Sequence, residues 1–353
     1  MGFPLLRGIA AVSLVTAAPA FPELTERVID TYVLPRFERL GKASDSLAAD
    51  LEALCRGERG RLRAVRKDFE GLVRAWAQIE FLRFGPMSVT GRPERFAFWP
   101  DPRGVVQRQL NVLIARRDPT ALEPASLAGK SAAVQGLPAL EMLLADAKHP
   151  LNADDVDGRY RCRLALSIAQ NLAAIAREIL SDWGGDEGWR RSMLEPGPQN
   201  ARYRAPAESA AEFARALVTG LQMLQDRQVA PLIAAQAAPG RAPRLPFSQS
   251  GLDAAYVASA VASLKALYEA MGLAGSVPPD KAWMKEWIPM AFNRLAHDAP
   301  AAVEAKVGEH KDPERERALR LLRFHVEGIR KLVGRELAPL AGLTIGFNEL
   351  DGD

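Results

Sequence analysis

Apolar residues recur three and four apart along nearly every long segment of this 353-residue chain, with charges on the opposite face and no sustained alternation of period two. That regularity restricts the chain to an all-α architecture. Arg59 to Phe84 carries Leu62, Val65, Phe69, Leu72, Trp76 and Phe81, and Asp155 to Trp183 sets Leu164, Ile168, Leu172, Ile175 and Ile179 in one stripe. Leu24 to Leu54 reads as one or two helices interrupted near Pro35, because proline has no N–H to continue the ladder. From Gly184 to Ala205 the periodicity fades and GGDEG and EPGP appear, which marks a boundary. Beyond it lie four helical segments: Pro206 to Ala230, Gly251 to Gly272, Trp283 to Val307 and Asp312 to Leu337. The expected organisation is two successive helical bundles, residues 21–183 and 206–353, with a linker at 184–205.

The first 20 residues do not belong to that pattern. Arg7, the apolar run from Ile9 to Ala18 and the small-residue pattern Ala18, Pro19, Ala20 make a secretory leader with cleavage before Phe21. The alternative is an uncleaved first helix. No cysteine stands at the cleavage point to accept a lipid, and no later run is long and uncharged enough to span a bilayer, so the expected location is the periplasm or cell envelope. A formal net charge of +3, one unit of it carried by Arg7, gives no field that favours nucleic acid. Cys55 and Cys162 are the only cysteines. An oxidising compartment lets them pair, and closing so long a loop is worth about 4–5 kcal/mol in the chain-entropy description. Two separate buried thiols are the other reading.

The chemistry-bearing residues are few. The stretch VQGLPALEMLL, Val134 to Leu144, sets Gly136, Pro138 and Glu141 in a G-x-P-x-x-E frame, with Glu141 on an inward helix face. A carboxylate there needs an arginine, neutral donors, a metal or a proton. Pro138 either sits inside the helix at a cost of about 3 kcal/mol or opens a new helix, where its missing N–H costs nothing. Trp76 and Glu80 share a helix that is expected to run to Gly85 and Pro86, and Trp99 and Asp101 follow in the connection from Pro86 to Gly104. That cluster suits a binding cleft and equally a capped helix end with a packed lid. A second long connection, Pro239 to Ser250, is of the kind that carries binding residues. His149, His297, His310 and His325 make no metal-ligand spacing with one another or with Glu141. No nucleophile triad order, phosphate loop or cofactor fingerprint is present, and Glu309 to Arg323 reads as a solvated helix face.

Trp76, the FGP of Phe84 to Pro86, the FWPD of Phe98 to Asp101, the G-x-P-x-x-E frame and the ending GFNELDGD together resemble the imelysin-like family of bacterial envelope proteins. Its signature is G-x-H-x-x-E, whose His and Glu, three apart on a helix, can reach one ion. Here Pro138 replaces that His, and proline has no lone pair to give. The resemblance implies an internal duplication, although no residue-level repeat supports one. It also implies a C-terminal segment docked so that Asn348 and Asp351 approach the interface between bundles, where they join Glu80 or Glu141 around a cation; a tail that merely caps the bundle is the alternative. The expected function is a non-enzymatic binding protein connected with iron uptake or metal handling, its partner a small ligand or a metal ion such as iron. The alternatives are a metallopeptidase using Glu141 and a scaffold for another envelope protein.

Overall fold

In the computed structural model the described residues are 20–237, 243–304 and 312–346. The segment expected as a leader (1–20, all but Ala20), His310 and the ending with Asn348 and Asp351 lie outside them. All regular structure among the described residues is helical. The elements are α1 (Phe21–Val28), α2 (Leu34–Cys55), α3 (Leu62–Ala77), α4 (Arg92–Phe96), α5 (Val105–Arg116), α6 (Pro124–Ala128), α7 (Leu137–Ala145), α8 (Val156–Trp183) and α9 (Trp189–Leu194). They continue with α10 (Pro206–Leu224), α11 (Ala230–Ala237), α12 (Asp253–Met271), α13 (Met284–Glu304), α14 (Pro313–Leu332) and α15 (Ala338–Leu340).

The break expected near Pro35 is not a break. A π turn at Ile29–Val33 joins α1 to α2, with Leu34 N–H reaching back to Ile29 O. Proline would clash with the carbonyl four residues earlier; in Pro35 that residue is Thr31, inside the widened turn. The same device recurs at Gln225–Val229 before Pro231 and at Val333–Leu337 before Pro339. Helices thus continue through prolines that sequence reasoning treats as stops.

In the first half α2 lies along α3 and α8, and Cys55 at the end of α2 is bonded to Cys162 of α8 with a Cα separation of 5.6 Å. The second half packs α12 on α10 and α13, and α14 on α10 and α13. Short helices α4 to α7 fill the first half, whereas α11 is the short helix described between the long helices of the second, so the packing does not establish the implied duplication. Segment 184–205 holds α9 and buries Met193 and Tyr203 in the core.

One hydrophobic core continues from Leu24 to Leu343 across both halves. α1 packs on α10 and α12, and α3 packs on α12. At this seam Ser263 of α12 gathers polar groups from the first half: its Oγ donates to Gln78 O at 2.8 Å, and Arg36 Nε donates to that Oγ at 3.0 Å. The Tyr32 hydroxyl lies 2.8 Å from the same oxygen. Gly220 of α10 permits a close approach to the first half, since a Cβ there would sit 2.9 Å from Phe81 Cγ.

Candidate functional site

Gly136 is dictated by a neighbour rather than by a turn. Its backbone is extended, and a Cβ would fall 2.3 Å from the carbonyl oxygen of Phe96, a backbone atom that cannot step aside. Gln135 beside it is tied on all sides, accepting from Arg95 Nε at 3.0 Å and donating to Lys130 O at 2.6 Å, while its own carbonyl accepts from Asn171 at 3.1 Å. From this anchor α7 starts afresh at Leu137, so Pro138 occupies the second helical position, where no intrahelical N–H bond is lost.

One turn on, Glu141 is 5% exposed. Among the described residues no arginine pairs with it. Its Oε1 accepts from Ser250 N at 2.9 Å and from Ser250 Oγ at 2.8 Å, both from the second half. Burial raises its pKa, opposed by the Ser250 hydroxyl and the amides of Ser250 and Gln249, while the charge of Asp253 adds to the rise. The loop that supplies these donors is itself strained: Phe247 has a φ of +60°, a left-handed conformation rare for a bulky residue. Its ring is wedged between Phe69 at 6.4 Å and Tyr256 at 5.3 Å.

Glu80 is the second buried carboxylate on the seam. α3 ends at Ala77, short of the expected Gly85, and Glu80 lies in the following turn, its N–H still bonded to Trp76 O at 3.0 Å. Its side chain accepts from the Tyr256 hydroxyl and pairs with Arg227 at 3.3 Å. Arg227 is carried by the π turn before Pro231. Burial raises the pKa of Glu80, and the charges of Arg227 and Arg83 oppose the rise. Burial lowers that of Arg227, but a guanidinium starts so high that it stays charged. Trp76 stacks on Phe96 at 4.5 Å and 14°, which links this corner to the strip of backbone that lies against Gly136. Its buried indole N–H lies close enough to favour the charged form of Glu80 yet makes no well-formed hydrogen bond.

Glu141 and Glu80 share no partner. The other expected site residues separate further: Trp99 is half-buried, and both oxygens of Asp101 are used at the start of α5, accepting from Val105 N at 2.8 Å and Val106 N at 2.9 Å. Among the described residues no three His, Cys, Asp or Glu side chains converge as metal ligands. His149 and His297 pair with the neighbouring Asp146 and Asp298, and His325 packs against Trp287.

In front of Ser250 the seam opens into a groove of about 450 Å³ between α3, the end of α7 and the loop before α12. Arg66, Lys67, Phe69, Leu144, Gln249 and Ser250 are among its walls. Ser250, Tyr256 and Arg227 are the functional residues that sequence reasoning passed over. Only Ser250 had a signal, as the last residue of the second long connection.

The model of the imelysin family (Peptidase_M75) matches residues 33–322. An imelysin-like protein from Psychrobacter arcticum 273-4 superposes with a TM-score of 0.72 at 21% identity, over 94% of this chain and 100% of that one. A protein from Parabacteroides distasonis ATCC 8503, named as an iron-regulated protein A precursor, superposes with a TM-score of 0.68 at 11% identity, over 90% of this chain and 95% of that one. At these identities the structures attest the fold. No curated protein matches the chain.

Proposed function

Because the chain belongs to the imelysin family, we propose that it is a binding protein of the cell envelope, exported to the periplasm and connected with iron uptake, rather than a peptidase. One observation carries the reading: the motif glutamate is held by Ser250 of the other half, behind a groove wall, and its helix begins with Pro138 where the motif's imidazole would stand. The residues around Glu141 do not fit a resident catalytic metal. Pro138 offers no lone pair, Glu141 already accepts two hydrogen bonds from Ser250, and no further described donors converge there. A cargo seated on the seam would touch both halves at once. The iron-regulated name of one structural neighbour supports the link to iron. No described helix is long and apolar enough to cross a membrane, in keeping with a protein carried in the periplasm.

Two measurements test this. Cells lacking the chain should take up radioactive iron more slowly under iron limitation, and the intact gene should restore the rate while a Glu141→Ala variant should not. Purified protein should show no peptide hydrolysis; hydrolysis abolished both by a chelator and by Glu141→Ala would make the chain a metallopeptidase instead.

A further inference from the structure

The groove has a chemical character that the seam alone does not. Arg66 and Lys67 stand side by side on the exposed face of α3, and neither makes a hydrogen bond or ion pair among the described residues. The acid in the lining, Glu70, is already held by Arg74, which donates to it through Nε at 2.9 Å and Nη2 at 2.7 Å. The open charge of the groove is therefore positive. Its floor is apolar, built from Phe69 and Leu144, both buried, with Leu252 beside them. Across from the basic pair stands Gln249, whose exposed amide can donate to or accept from a ligand.

Resting on the binding-protein reading, and naming its cargo, we infer that this groove binds a small organic anion bearing several carboxylates, alone or wrapped around a metal ion, in preference to a bare metal cation. Charge decides the first part. A free cation would face two unpaired positive side chains and a carboxylate, Glu70, whose charge Arg74 already offsets, whereas a guanidinium fork and an ammonium suit carboxylates. Size and floor decide the second. About 450 Å³ lies within the range of small-molecule sites and far exceeds an inorganic oxyanion, and Phe69 and Leu144 give a carbon skeleton a surface to cover. Glu141 acts one layer behind: by fixing the N–H and hydroxyl of Ser250 it fixes the wall that faces the basic pair. It is a positioning residue for the groove.

The test is titration calorimetry on the full-length chain with four probes: citrate, ferric citrate, inorganic phosphate and a ferrous salt. Citrate, ferric citrate or both should bind about tenfold or more tighter than phosphate, and Arg66→Ala with Lys67→Ala should weaken that binding by about tenfold or more. Both positions are exposed and partnerless, so the double variant should keep the wild-type unfolding midpoint. Binding of citrate alone supports a free polyacid as cargo, and a strong preference for ferric citrate supports the chelate. The inference is overturned if neither citrate form binds, if the double variant binds as the wild type does, or if the ferrous salt alone binds tightest. Iron uptake separates the two levels. Uptake that needs the chain but tolerates the double variant discards the groove and keeps the binding-protein reading, whereas uptake indifferent to the chain discards that reading itself.

Discussion

Glu80 and Glu141 stand on the same seam, both buried, both with pKa values raised by that burial, and they are held by opposite means. Glu80 faces the fixed cation of Arg227 and the Tyr256 hydroxyl. Among the described residues Glu141 accepts from neutral donors of one loop. A carboxylate against a buried guanidinium cannot be removed without stranding its partner. A carboxylate on neutral donors can take a proton or shift with its loop at smaller cost. Glu80 and Arg227 thus fasten the halves together, whereas Glu141 holds the loop residue that walls the adjoining groove.

Removing each carboxylate is the most direct way to break this contrast. Glu80→Ala leaves Arg227 buried without its counter-charge and should cost about 3–5 kcal/mol in urea unfolding. Gly136→Ala comes next, at about 1–3 kcal/mol, because the new methyl meets the Phe96 carbonyl and something must move. That shift should also pull α7 and Glu141 away from Ser250, so groove binding should weaken along with stability. Glu141→Ala should cost less than Glu80→Ala, on the order of 1–2 kcal/mol, since it strands an N–H and a hydroxyl on a half-buried serine that water can reach. Equal losses for the two carboxylates would erase the distinction between a lock and an adjustable wall.

The contrast also marks what sequence could reveal. Helical periodicity and the boundaries of α8 and α12 are local properties, set within a few turns of chain, and they are legible; for Pro138 the sequence leaves two accounts open, and the structure starts a new helix at Leu137. The arrest expected at Pro35 was misjudged because a π turn, not a helix end, absorbs the missing N–H, and no residue type announces a π turn. The partners of the two carboxylates are invisible for another reason. Ser250 lies 109 residues from Glu141, and Arg227 and Tyr256 lie 147 and 176 from Glu80. On their own helices Arg227 and Tyr256 look like a surface arginine and a core tyrosine. Asp101 belongs to a cluster that suits a cleft or a capped helix end equally well in sequence; its geometry shows the cap.

The smallest expected effect is also the most diagnostic, because it depends on sign. The ordinary pKa of Glu141 is 4.5, and burial places the native value above it. Above pH 4.5 the native state then holds the proton more tightly than the unfolded chain, so the contribution of Glu141 is fully present below 4.5 and is lost as pH rises through the native value. Glu141→Gln keeps an oxygen facing Ser250 but cannot titrate. Its urea midpoint should therefore gain on the wild type as pH rises from 4.5 towards neutrality, giving a flatter profile. Burial also leaves the pKa of Glu80 raised despite Arg227, so Glu80→Gln should gain on the wild type in the same sense over the same interval. Parallel profiles for Glu141→Gln and wild type would mean that Glu141 titrates alike in both states, and a buried carboxylate on neutral donors would no longer describe it.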